Sequence, residues 1–241
     1  MQNWKVSIGR FLFRWRSFTP LPLLVALLLF FRPGDGGKAY PWIAAAGLLL
    51  ALAGEALRMH AVGHSGHGTS GRESFFRADD LNTTGLYSLV RHPLYWGNLL
   101  IYAGLLLAYA SPWGLAVGLL FFCTQYVFII ASEEAYLRDR HGPAYEQYCR
   151  RVPLYLPRLG AYATPAQRFA GRKVLFKEND SCFNLLGLFL IILAFREHRL
   201  LGRVRHGFVY LAAALVLILA YAGVKYLKKR AARPGPDLEA P

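Results

Sequence analysis

Charge is scarce in this chain: 17% of its 241 residues are Asp, Glu, Lys or Arg, against 55% hydrophobic. Cysteine is scarcer. Cys123, Cys149 and Cys182 are odd in number and share no CxxC spacing, so neither a disulfide framework nor a structural zinc site is implied. There is no HExxH motif and no internal repeat. Acidic residues are half as frequent as basic ones, 14 against 28, which leaves a formal net charge of +14.

What is present is apolar and clustered, with a mean hydropathy of +0.28. Crossing a bilayer takes about 18 or more apolar residues, and residues 40–57, 93–110, 113–131 and 207–224 meet that length. The run 17–31 is shorter and carries Pro20 and Pro22 near its start; the run 183–195 is shorter still. The expected fold is all-α: a polytopic membrane protein with six transmembrane helices, or five if 183–195 is re-entrant, and a pocket facing the cytoplasm. Five segments follow: membrane helices in 1–57, a core in 58–157, a cytoplasmic linker in 158–182, further membrane helices in 183–230 and a disordered tail in 231–241.

The basic residues obey the positive-inside rule. With the N-terminus in the cytoplasm and six alternating spans, the cytoplasmic segments hold 22 of the 28 Lys and Arg. The exception is the loop 196–206, whose Arg196, Arg199, Arg203 and Arg205 fall outside. Basic ends beside anionic headgroups account for a pI near 10.0 without nucleic acid as a partner. The first run lies behind Lys5, Arg10, Arg14 and Arg16 like a signal peptide. "FFRPGDGGKAYPW" offers no small-residue cleavage site, so an uncleaved anchor in the inner membrane is expected, with both termini cytoplasmic.

The runs 93–110 and 113–131 form a hairpin through "YASPWG". Their nearly equal lengths bring "RHPLYWGN" (91–98) level with "SEEAYLRDRHG" (132–142), whose helix Gly142 and Pro143 should stop. Proline favours the first helical position, so a helix begins at Pro93 with His92 as its cap. Tyr95, Asn98 and Tyr102 then share one face. A free helix N-terminus with Arg91 beside it can bind an anion; a Trp/Tyr interfacial belt is the alternative. Glu133 and Glu134 end a helix where its dipole is already negative. Either one enters a pocket, Glu133 being favoured, or Glu134 pairs with Arg138 one turn on.

Two features of the segment 58–74 are read as decoys. "GHGTSG" matches GxGxxG without a βαβ context. His60, His64 and His67 sit in a glycine-rich loop that makes a poor metal cage, so no metal is expected. Glu55 and Arg58 should pair with each other at the interface.

"NTTGLYSLVRHPLYWGNLL", followed about 35 residues later by "EEAYLRDRHGPAYEQYCRRVP", resembles the isoprenylcysteine carboxyl methyltransferase family, whose wider relatives include phospholipid methyltransferases. The resemblance covers roughly 58–157 and implies an integral membrane enzyme that binds S-adenosyl-L-methionine at the cytoplasmic face. It implies that Tyr87, His92, Pro93, Leu94 and Tyr95, joined by Asn98, line the cofactor. Glu133 or Glu134 would lie where cofactor and acceptor meet, with Arg91 at the helix mouth as a further catalytic candidate from the residue pattern, and the acceptor would be small or lipid-like. Two positions depart from the family: "ADDLN" replaces a histidine-bearing start, and Ile129 stands where prenylcysteine-specific members carry arginine. A related NADPH-dependent reductase and a non-catalytic scaffold remain as alternatives.

Overall fold

The computed structural model describes residues 4–16, 18, 20–66 and 80–231. His67, Asp79, the remainder of "GHGTSG" after Gly66 and the tail 232–241 lie outside the described residues. Among the described residues the regular structure is helical: α1 (Trp4–Trp15), α2 (Pro20–Phe30), α3 (Tyr40–Gly63), α4 (Pro93–Tyr109), α5 (Pro112–Arg151), α6 (Gly171–Leu201) and α7 (Gly207–Ala231). An isolated bridge between Gly85 and Ala163 is the one β-type pairing among them.

Four segments, Gly37–Gly63, Pro112–Arg151, Gly171–Leu201 and Gly207–Ala231, are long and apolar enough to cross a membrane. The chain is an integral membrane protein. α4 has 17 residues and rises about 26 Å, close to a bilayer core. It lies between α3 and α5, with α6 against α3 and α4 and α7 against α6.

α3 and α4 approach closely because small residues face each other. A Cβ added at Gly104 would lie 2.3 Å from the Gly47 carbonyl, and one at Gly54 would lie 2.5 Å from the Gly97 carbonyl. Lipid tails give no hydrophobic drive for helix association, so such backbone contact is what holds membrane helices together. The α4–α5 hairpin turns through Ala110 in the left-handed region, and the Ser111 hydroxyl accepts from the Gly114 N–H as an N-cap. α5 breaks at Gly142, with φ 50° and ψ −126°, and resumes at Pro143, so the expected stop is a kink.

The chain's two ends of the bundle are fixed by named contacts. At one end the Tyr109 hydroxyl donates to the carbonyls of Leu28 and Phe31, and the Tyr40 hydroxyl to that of Ala108. Arg196 belongs to this end: it is buried, donates to the Gly34 and Asp35 carbonyls at 2.7 and 2.5 Å, and covers the Tyr40 ring. One of the four arginines of the 196–206 exception is thus fixed inside the protein. At the other end Lys173 donates to the carbonyls of Ser65 and Gly66.

Two expectations are corrected. The run 183–195 belongs to a continuous helix that begins at Gly171, inside the stretch expected as a linker, and is long enough to span. Hydropathy missed its first turns because "KEND" reads as polar, whereas Glu178 and Asp180 are paired against neighbouring helices. Arg58 does not pair chiefly with Glu55, which it meets only at 4.0 Å; its close partner is Glu178 at 2.7 Å.

Candidate active site

The hairpin brings residues 91–95 against 133–134. His92 is the N-cap residue of α4, as expected, but its ring makes no capping hydrogen bond. Instead Nε2 lies 3.0 Å from Glu134 Oε1, and Nδ1 lies 3.3 Å from Glu133 Oε2. Both ring nitrogens face carboxylates, which an imidazolium satisfies with two N–H donors. Burial works against that charge, but Glu133 and Glu134 more than offset it and raise the His92 pKa to about 9. The ring stacks on Tyr95 with centroids 5.5 Å apart, and the Tyr95 hydroxyl donates to Glu133 Oε2 at 2.5 Å.

The two glutamates diverge, as neighbours on a helix must. The Glu134 side chain is 5% exposed and that of Glu133 26%. Glu134 takes Arg91 at 2.9 Å, Arg138 at 3.2 Å, His92 and the hydroxyl of the fully buried Tyr145. The Arg138 pair read from the sequence is therefore present, but as one contact of four.

Arg91 is committed to the protein. Its Nη1 holds Glu134, while Nη2 and Nε donate to the carbonyls of Cys149 and Val152 at 2.8 Å each. Those carbonyls end the post-kink part of α5, where a helix lacks internal donors. The Arg91 N–H also donates to the Pro153 carbonyl, and the Arg158 N–H to that of Leu89. The segment after α5 is thereby drawn across the mouth of α4, where Trp96 Nε1 donates to the Tyr155 carbonyl.

Beneath that strap lies a cavity of 160 Å³, lined by His92 and Tyr95 at one side and by residues such as Leu99, Tyr126, Ile130 and Leu156 elsewhere. Of the cofactor-binding candidates, His92 and Tyr95 line it; Tyr87, Pro93, Leu94 and Asn98 do not. Pro93 is fully buried and starts the helix. The Tyr87 carbonyl accepts from the Tyr148 hydroxyl. Asn98 is held at both ends of its amide, by Arg58 and by Tyr126.

Three contributors escaped the sequence reading. Tyr145 lies beyond the helix stop. Tyr126 stands seven residues before Glu133 on the same helix, a spacing that could have been read as one face. Arg16, at the end of α1, lies within the electrostatic reach of Glu133, Tyr95 and Tyr126. Among the described residues no cluster of three or more His, Cys, Asp or Glu could hold a metal; His60 and His64 contact each other, and His64 also meets the Gln167 carbonyl.

The phospholipid methyltransferase family profile matches residues 42–144, which hold both halves of this cluster. Protein-S-isoprenylcysteine O-methyltransferase B of Arabidopsis thaliana is 30% identical over 135 residues, 55% of this chain and 67% of that protein. The chain belongs to this methyltransferase family. The nickel-cobalt-cadmium resistance protein NccN of Alcaligenes xylosoxydans xylosoxydans is 39% identical over 93 residues, 39% of this chain and 41% of that protein. Methanethiol S-methyltransferase 2 of Bradyrhizobium diazoefficiens is 37% identical over 92 residues, 37% of this chain and 33% of that protein. The matched region thus spans less than half of either of these two family relatives. No solved structure matches the chain.

Proposed function

We propose that the protein is an S-adenosyl-L-methionine-dependent methyltransferase of the inner membrane, acting on a small or lipid-like acceptor, with residues 58–157 as its core. The observation that carries this reading is an apolar cavity at one end of the α4–α5 hairpin lined by His92 and Tyr95, both of which are held by Glu133. We further read six crossings with both termini in the cytoplasm and the cavity at the cytoplasmic end. In support, Arg16 lies near Glu133 while Leu28 and Phe31 meet Tyr109, so the first run joins opposite ends of the bundle.

The side chains suit the cofactor's chemistry. Glu133 is the more exposed of the two acids, and a carboxylate has lone pairs beyond those taken by Tyr95 and His92 for an ammonium group. The stacked His92 and Tyr95 rings present flat faces suited to an adenine. S-adenosyl-L-methionine, when bound, supplies a methyl group activated by a positively charged sulfur.

The chain's residues hold, orient and dry the site. Arg91 and Glu134 clamp the α4 mouth to α5 and to the strap, which fixes the His92 ring. Fixed geometry of this kind supplies much of a group transfer's barrier reduction. The apolar lining keeps water from an anionic acceptor. Whole-ligand pockets run to roughly 300–1,000 Å³, so the 160 Å³ cavity accounts for one part of the reacting pair.

Binding of S-adenosyl-L-methionine, S-adenosylhomocysteine and NADPH to the detergent-purified chain tests the proposal. The first two should bind and NADPH should not. His92→Ala and Tyr95→Ala should each weaken binding by about 1–3 kcal/mol. NADPH binding alone would make the protein a reductase, and binding of none would leave a scaffold.

A further inference from the structure

A second polar cluster lies away from the cavity, buried between α3, α4 and α6. Glu55, Arg58 and Glu178 are 2%, 8% and 0% exposed. Ionisable groups at such depth are expensive and call for a reason. Docking α6 onto α3 would be reason enough if Arg58 touched Glu178 alone, and two of its donors do: Nε and Nη2 reach Glu178 Oε2 at 3.1 and 2.7 Å.

The third donor goes elsewhere. Arg58 Nη1 crosses to α4 and donates to Asn98 Oδ1 at 2.5 Å. Gly97 makes room for it, because a Cβ there would lie 2.5 Å from Arg58 Cγ. Asn98 Nδ2 in turn donates to the Tyr126 hydroxyl at 2.9 Å. Tyr126 lines the cavity, stacks on Phe122 at 4.0 Å and sets its ring against the edge of Tyr95 at 4.9 Å. Tyr95 is the residue that donates to Glu133.

We infer that Glu178 and Arg58 are positioning residues for the site: through Asn98 they hold the Tyr126 phenol, and with it the Tyr126–Tyr95 wall that presents Glu133. Its consequence for cofactor affinity rests on the methyltransferase reading; the positioning itself does not. Glu178 lies on α6, beyond residue 144 where the family profile ends. The site of this chain is therefore completed by a helix outside the matched region. Asn98, expected to touch the cofactor, instead relays position to it.

The test uses the full chain in detergent with fluorotyrosine placed at position 126, read by fluorine NMR, alongside S-adenosylhomocysteine affinity. Glu178→Gln leaves a buried guanidinium half-paired and can fail to fold, so Asn98→Ala is the second arm. Asp180→Asn, which loosens α6 from Tyr221 and Lys225 on α7, is the control for helix docking. Folded Glu178→Gln and Asn98→Ala should each shift or broaden the Tyr126 resonance and weaken S-adenosylhomocysteine binding by roughly fivefold or more. Glu178→Gln combined with Tyr126→Phe should be less than additive, and Asp180→Asn should leave resonance and affinity unchanged. An altered resonance in a protein whose wild type binds no S-adenosylhomocysteine would uphold the positioning and sink the methyltransferase reading. A wild-type resonance in the folded variants, or an equal shift in Asp180→Asn, would overturn the inference.

Discussion

Arg91 and Glu134 meet at 2.9 Å across 43 residues of chain, and this contact closes the α4–α5 hairpin at the site. The acid that anchors the architecture is thus the second of the pair, while the first, Glu133, meets Tyr95 and is the more exposed.

The two acids should fail differently. Glu134→Gln removes the carboxylate from Arg91, His92, Arg138 and Tyr145 at once. Breaking one side of a buried ion pair costs about 3–5 kcal/mol, so its thermal unfolding midpoint should drop sharply or the protein should not accumulate. Glu133→Gln should fold near normally and lose roughly tenfold or more in turnover or cofactor affinity. Unfolding curves and binding measured on both variants check the pair; equal behaviour would contradict it.

Stability should fall with rising pH through the titration of His92. Its folded pKa, about 9, is above the unfolded value of 6.5, so the folded state holds the proton more tightly. The contribution is complete below about pH 6.5 and is lost as pH rises toward 9. Unfolding midpoints recorded from pH 6 to 10 should decline across that window in the wild type. His92→Gln should show a flatter profile there; parallel profiles would refute the assignment.

Glycines should separate by position. Gly104→Leu drives a side chain into the α3 backbone, where even a Cβ would sit 2.3 Å from the Gly47 carbonyl. Overpacking of about 1–3 kcal/mol or more should appear as lost monodispersity on size-exclusion chromatography. Gly223→Leu on α7, with nothing within 4 Å of the added Cβ, should be silent.

Topology is open to cysteine labelling in vesicles of known orientation. Thr83→Cys and Arg158→Cys should react from one side, Lys38→Cys and Arg203→Cys from the other; all four are exposed. Thr83 and Arg158 labelled from opposite sides would break the proposed arrangement.

Much of the core was readable because its signals are local. The α4–α5 hairpin follows from two apolar runs of nearly equal length and the "YASPWG" turn, the start of α4 from Pro93, and the kink from Gly142–Pro143. Level ends alone put Arg91 and His92 opposite Glu133 and Glu134. The polar start of α6 was hidden because a hydropathy window cannot know that Glu178 will be paired.

What the sequence by itself determined is the membrane class, the hairpin, and which ionisable groups share a depth, since periodicity and length act along one chain segment. What only the tertiary structure decided is the choice of partners. Arg58 had Glu55 three residues away and took Glu178 across 120 residues, because the Gly54 and Gly97 contact brings α3 and α4 together while α6 closes over them. Arg91 likewise was read as the seat of a bound anion, and its guanidinium is taken up by Glu134 and by the carbonyls that end α5. A buried charge must find compensation, and which partner supplies it depends on helices that approach in space, a distance that no spacing in the sequence encodes.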